Sequence, residues 1–192
     1  MIISTNEIFE LIWIAWLVSW AAASFWSHRI KKRDATCRTW TYRVAIIAGS
    51  ILLAPWTAQA LAEKPLWEVD YAGAYALAGV MLAGISLTWW ARTHLGRLWS
   101  SAITLKEGHR VINTGPYAYV RHPIYTGLIT ALLATAAAEA TVPALVGAAL
   151  IVFGLWLKAH AEERFLMVEL GADAYGSYCR RVPMLVPFLP SR

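Results

Sequence analysis

Residues 124–157 read IYTGLITALLATAAAEATVPALVGAALIVFGLWL, an apolar run interrupted near its middle by one carboxylate, Glu139, and one proline, Pro143. A single membrane-spanning helix needs about 20 residues, so this run is too long for one pass. Proline cannot continue a helix interior without losing a backbone hydrogen bond and clashing with the preceding turn. The run therefore predicts two helices joined by a tight turn near 138–142, a helical hairpin lying in a membrane.

Three further segments reach spanning length: 8–26, 44–62 and 71–90. Trp13, Trp16, Trp20 and Trp26 in the first, and Trp89 and Trp90 at the close of the third, suit the headgroup region that amphipathic rings prefer. The first segment lacks a small-residue cleavage site leading into a soluble domain, so it is expected to be a retained helix and not a signal peptide. The composition agrees, with 58% hydrophobic residues, 15% charged and 11 Trp in 192 residues. The expectation is an all-α integral membrane bundle of about five transmembrane helices. It forms one membrane domain over 1–192, with three N-terminal helices in 1–90 and a part that carries the two-helix hairpin in 91–192.

Orientation follows from Lys and Arg in the short connections. The first carries Arg29, Lys31, Lys32, Arg33, Arg38 and Arg43 against Asp34, whereas the second carries Glu63, Lys64, Glu68 and Asp70. Arg92, Arg97, Lys106, Arg110 and Arg121 follow the third helix; Lys158, Arg164, Arg180 and Arg181 follow the fifth. This alternation predicts the N-terminus outside and the C-terminus in the cytoplasm. The short loops suit a compact enzyme of a bacterial inner membrane. The net charge of +5 is then read as the cytoplasmic face meeting anionic membrane lipids, not as a nucleic-acid footprint. Cys37 and Cys179 fall on the reducing side, without a second Cys or His at metal spacing, so neither a disulfide nor a metal site is expected. Oligomeric state is not legible.

The stretch from Gly115 to Gly127 places Arg121, His122, three tyrosines and two prolines at the mouth of the hairpin. Polar groups at that depth are expensive and mark a site by default. A hairpin makes the start of its first helix a neighbour of the end of its second. Arg121 and His122 should therefore approach Glu162 and Glu163. Each group also has a plainer use. An interfacial Arg can snorkel, an Arg–Glu pair can pin two helix ends, and adjacent glutamates point to different faces. Tyr119 and Tyr178 read as interface anchors. The conjunction of Arg, His and Tyr on one hairpin end with carboxylates on the other is what favours a site. The turn at Gly115-Pro116 and the helix start at Pro123 also offer backbone N–H groups to a carboxylate.

The run from His109 to Tyr117, then Arg121-His122-Pro123-Ile124-Tyr125-Thr126-Gly127, Glu162-Glu163, and Gly171 with Tyr175, Tyr178 and Arg181-Val182-Pro183, resembles the isoprenylcysteine carboxyl methyltransferase family. Related membrane phospholipid methyltransferases share parts of the pattern. The resemblance covers the C-terminal half, from Leu95 to Pro190; the N-terminal helices match only in kind. It implies a methyltransferase that uses S-adenosylmethionine bound on the cytoplasmic side. His109, Val111, Gly115, Tyr117, His122, Tyr125 and Glu162 are the implied cofactor-side positions, and Arg121 and Glu163 the implied catalytic or substrate groups. The implied acceptor is lipophilic, foremost the carboxylate of a prenylcysteine-like compound. The chain departs from eukaryotic members in carrying His160 and Ala161 before the carboxylate pair, so the acceptor's identity does not transfer. No Gly-x-Gly-x-x-Gly follows a strand, which removes the common soluble dinucleotide fold.

Two other functions fit a polar cluster of this kind. A membrane sterol or enone reductase would bind NADPH and use Tyr117 or Tyr125 as a proton donor. A non-enzymatic scaffold would use the cluster only to lock the hairpin.

Overall fold

The structure is a computed structural model and describes residues 5–26, 30–33, 39–106, 110–171 and 173–189. Its helices are α1 (Thr5–Ser24), α2 (Thr39–Leu53), α3 (Pro55–Ala60), α4 (Tyr71–Leu95), α5 (Pro123–Glu139), α6 (Val142–Leu170) and α7 (Ala174–Arg181). Short 3-10 turns occupy Gly96–Leu98 and Gly115–Ala118.

Among the described residues, three stretches are long and apolar enough to cross a membrane: Glu7–Ser24, Tyr71–Leu98 and Val142–Leu170. The other two apolar helices are shorter, Trp40–Leu53 and Pro123–Glu139. The expected second span over 44–62 is not one helix. It starts earlier, at Thr39, and breaks at Ala54, whose extended backbone (φ −67°, ψ 133°) precedes Pro55 at the start of α3. Pro55 forbids helical geometry at its predecessor and then suits the first turn of the next helix.

Between α5 and α6 only Ala140 and Thr141 intervene. Ala140 adopts the left-handed conformation (φ 53°) that ends α5, and the Thr141 hydroxyl caps α6 by accepting from Ala144 N. Pro143 lies in the first turn of α6, where its missing N–H costs nothing. The loop before α4 packs on this link: Leu66 N donates to Ala140 O (2.6 Å) and Trp67 Nε1 to Ala137 O (3.1 Å).

The bundle is built from two close helix pairs, α4 with α5 and α2 with α6. Gly84 and Gly127 make the first crossing, because a Cβ on either would lie 2.6 or 2.4 Å from the other's carbonyl oxygen. Gly49 and Gly147 make the second in the same way, at 2.5 and 2.6 Å. Small residues let backbones touch where lipid offers helices no hydrophobic drive to associate. Of the glycines of α4, Gly84 packs in this way, whereas Gly79 faces open space.

One element was not expected from the sequence. The α1–α2 connection forms a strand β1 (Ile30–Arg33) that pairs antiparallel with β2 (Thr104–Lys106), with Arg33 opposite Thr104. Lys32 also forms an ion pair with Glu169 of α6. This two-stranded ribbon ties the N-terminal helices to the segment leading into the polar cluster.

Candidate active site

Arg121 sits just before α5, and Pro123 forces the turn that aims both Arg121 and His122 back at α6. The Arg121 guanidinium meets Glu163 side-on: Nε donates to Oε1 (2.6 Å) and Nη2 to Oε2 (3.1 Å). Nη1 donates to two main-chain oxygens, Cys179 O (2.8 Å) and Val182 O. His122 Nε2 shares Oε1 of Glu163 at 3.0 Å. Arg121 and His122 side chains are both 7% exposed and Glu163 is 14% exposed, so this triad is nearly dry. Burial alone would lower the Arg121 pKa, but the hydrogen bond and charge of Glu163 outweigh it and keep the guanidinium charged.

The chain's C-terminal segment completes the turn. Arg121 N donates to Pro183 O (2.8 Å), His122 N to Met184 O (3.1 Å), and the Thr126 hydroxyl to Leu185 O (2.7 Å). The N–H groups of Arg121 and His122 are thus engaged by the protein itself.

One residue along α6, Glu162 points a different way from Glu163, as adjacent helical residues must. Its Oε2 accepts from Tyr125 Oη at 2.8 Å, and the Tyr125 ring stacks parallel on His122 with centroids 5.3 Å apart. Lys158, one turn earlier on α6, lies 5.3 Å above the Tyr125 ring and donates to Ser101 O (3.0 Å).

These groups border a cavity of about 220 Å³. Its polar end is lined by Arg110, Tyr117, Arg121, His122 and Glu162, with Tyr175 and Tyr178 from α7. Its apolar end runs between helices, past Leu128 and Leu155, to a wall of Trp16, Trp20 and Trp99. Val111 and Tyr125 line it as well, whereas Glu163 and Gly115 do not. Glu163 stands behind Arg121 and His122. Gly115 supports the turn from outside: its φ is +58°, and a Cβ there would meet the His94 ring at 2.7 Å, so only glycine serves. His94 in turn contacts Thr114 Oγ1 (2.9 Å) and stacks on Tyr117. His109 lies outside the described residues, as does Cys37.

The phenols of the polar end are donors in a fixed frame. Tyr178, expected at a membrane interface, is instead buried and donates to Tyr117 O (2.7 Å); Tyr119, 56% exposed, remains at the surface. Burial pushes the Tyr117, Tyr175 and Tyr178 hydroxyls well above the usual range, with Glu162 adding to the shift at Tyr117. Burial also raises the Cys179 thiol, which favours its protonated form. Lys158, Arg110 and the tryptophan wall were not singled out from the sequence. For Lys158 a signal existed, since a lysine four residues before Glu162 shares its helical face. Nothing in the order of residues shows that α1 contributes the wall.

Among the described residues, no group of three or more His, Cys, Asp or Glu could hold a metal. The model of the isoprenylcysteine carboxyl methyltransferase (ICMT) family matches residues 77–168. The chain is 26% identical over 114 residues to a protein-S-isoprenylcysteine O-methyltransferase of Schizosaccharomyces pombe, covering 58% of this chain and 48% of that one. It is 33% identical over 168 residues to methanethiol S-methyltransferase 2 of Bradyrhizobium diazoefficiens, covering 81% of this chain and 62% of that one. The chain thus spans about half to three fifths of the length of the curated relatives it matches. The resemblance carried by the C-terminal motifs is borne out over the matched span.

Proposed function

We propose, from a chain that carries the isoprenylcysteine carboxyl methyltransferase pattern across residues 77–168, that it is an integral membrane methyltransferase. It moves a methyl group from S-adenosylmethionine to a lipophilic acceptor. The observation that carries this reading is the convergence of Tyr117, His122, Tyr125 and Glu162 on one cavity that is polar at one end and apolar at the other.

The residues fit such a donor. Arg110 and the remaining Nη2–H of Arg121 offer donors to its carboxylate, Glu162 an anion to its amine and sulfonium charges, and Val111, Leu166 and Leu170 an apolar bed for its base. When bound, the group supplies a methyl carbon already bearing a good leaving group. The protein's part is then to align, to exclude water and to hold charge, which can lower the barrier by roughly 7–11 kcal/mol. Glu163 keeps Arg121 and His122 in place and is a positioning residue in this scheme.

Four of the five N–H groups of Arg121 are already committed to Glu163, Cys179 O and Val182 O. A forked grip on an acceptor carboxylate would need two free ones. Lys158 is therefore assigned to the acceptor: it stands at the border of the polar and apolar ends, and its ammonium keeps donors beyond the one given to Ser101 O. The leading acceptor is the carboxylate of a prenylcysteine-like compound, already anionic at neutral pH. The committed fork of Arg121 also favours a second acceptor, a small thiol, the chemistry named for the Bradyrhizobium relative. For a thiol, Glu162 with Tyr125 would take the proton.

The test is equilibrium binding of S-adenosylmethionine and, separately, NADPH to detergent-purified protein, with His122→Ala and Glu162→Gln alongside. Binding of the sulfonium compound alone, lost in both variants, is expected; methyl transfer to N-acetyl-S-farnesylcysteine and to methanethiol then separates the acceptors. Binding of NADPH alone would convert the reading to a reductase. Binding of neither by folded protein would leave the cluster a structural lock.

A further inference from the structure

The tryptophan wall of the cavity belongs largely to α1, and α1 is fastened by an arginine that the transfer chemistry does not use. α1 presents Leu11, Ile14, Leu17 and Val18 to its surroundings, so few side chains fasten it. Two indoles tie its middle: Trp13 Nε1 donates to Thr135 Oγ1 (3.1 Å) and Trp16 Nε1 to Thr88 Oγ1 (3.0 Å). Its end is tied by Arg92 of α4, whose Nη2 donates to Ala23 O (2.7 Å) and Trp26 O (3.0 Å). Nη1 holds Gly96 O (2.7 Å), at the end of α4 itself.

Arg92 is 1% exposed and is one of the largest fully buried side chains of the molecule. A snorkelling arginine would carry its head to water; this one does the reverse. Its guanidinium lies 4.5 Å from the Trp99 ring centre and 5.6 Å from that of Trp26. A desolvated cation over an aromatic face is strongly held. Trp99 then meets Trp20 edge-on at 5.5 Å, and Trp20 stacks on Trp16 at 5.0 Å. One buried charge thus links the end of α1, the end of α4 and all three rings of the wall.

We propose that Arg92 is a positioning residue for acceptor selection. By clamping α1 to Trp99 it fixes how far the tryptophan wall stands from α5 and α6, and hence the width of the apolar end. The proposal rests on the methyltransferase reading and adds to it a determinant of acceptor size.

The experiment follows a series of acceptors of increasing chain length, S-alkyl-N-acetylcysteines or alkanethiols according to which the wild type methylates. In Arg92→Gln the acceptor KM for short chains should rise about ten-fold while S-adenosylmethionine affinity stays within about two-fold, and preference should move toward longer chains. Arg92→Lys, which keeps the charge but not the fork, should fall between. A parallel loss of cofactor and acceptor affinity, or an unchanged chain-length preference, overturns the proposal. If Arg92→Gln does not fold, Trp99→Phe keeps a face for the cation and recesses the wall. The same drift toward longer chains is expected of it, and its absence counts against the proposal equally. Should the wild type bind no S-adenosylmethionine, the cofactor reading fails and the clamp is judged separately. Quenching of tryptophan emission by a dibrominated phosphatidylcholine should then rise in Arg92→Gln and to a smaller extent in Arg92→Lys; quenching unchanged from wild type in Arg92→Gln would remove the clamp.

Discussion

Glu163 holds three donors with two oxygens, and removing its charge strands a guanidinium that is 7% exposed. Breaking a buried ion pair from one side costs about 3–5 kcal/mol, because the surviving charge is left unpaired. Glu163→Gln should therefore lower the melting temperature in detergent by roughly 6–20 °C. Glu162→Gln, which keeps an oxygen for the Tyr125 hydroxyl but removes the charge, should shift it far less but cost more cofactor affinity. A melting curve and a binding isotherm on each variant decide it; equal melting shifts in the two would refute the division of roles. The approach of Arg121 and His122 to the carboxylate pair was legible from hairpin reasoning alone. The oxygens of Cys179 and Val182 were not, since main-chain acceptors carry no mark in the side-chain sequence. Nor could the sequence tell which glutamate turns toward the cavity, because that rests on helix phase.

At the scale of elements, the two helix pairs depend on glycines placed where backbones touch. Gly127 lies one turn from the start of α5, so its crossing with Gly84 also sets where His122 and Tyr125 stand. Gly127→Ala must push α4 and α5 apart, an overpacking that costs about 1–3 kcal/mol. Gly79→Ala, in open space on the same helix pair, should instead be neutral or gain about 0.5–1 kcal/mol from helix propensity. Thermal unfolding of both variants checks this, and a destabilised Gly79→Ala would mean that a partner covers that face. Small-residue content in α4 was visible in the sequence, but which glycine meets a neighbour depends on crossing geometry. The break at Ala54 had its signal in Pro55. The ribbon of β1 with β2 had little, since Ile30-Lys31-Lys32-Arg33 does not alternate and the three residues of β2 are too few for their alternation to stand out.

For the molecule as a whole, the two ends differ in charge. One end gathers Glu63, Glu68 and Asp70 beside the Ala140–Thr141 link, joined through Leu66 and Trp67. The other holds the cavity, whose lining carries Arg110, Arg121 and Lys158. The Lys and Arg alternation read from the sequence predicts that this end faces the cytoplasm, which labelling tests. After replacement of both native cysteines, Glu68→Cys should react with an impermeant maleimide in intact cells, and Arg181→Cys only after permeabilisation. The reverse pattern would invert the assignment. Helical class and the two-residue link were legible because apolar length and proline are strong local signals. The number of crossings was less so, because the helices at 40–53 and 123–139 are short for a bilayer.

The strap of Pro183 and Met184 across the start of α5 bears on how the protein is made. Arg121 leaves the ribosome 62 residues before Pro183, and synthesis at 5–20 residues per second makes that gap about 3–12 s. During that interval the nascent chain has a charged guanidinium at the membrane surface without its carbonyl partners from 179 and 182. Water and lipid phosphates can stand in for them meanwhile. The polar rim of the cavity therefore closes only once the segment carrying Val182, Pro183 and Met184 has been made and reaches the start of α5.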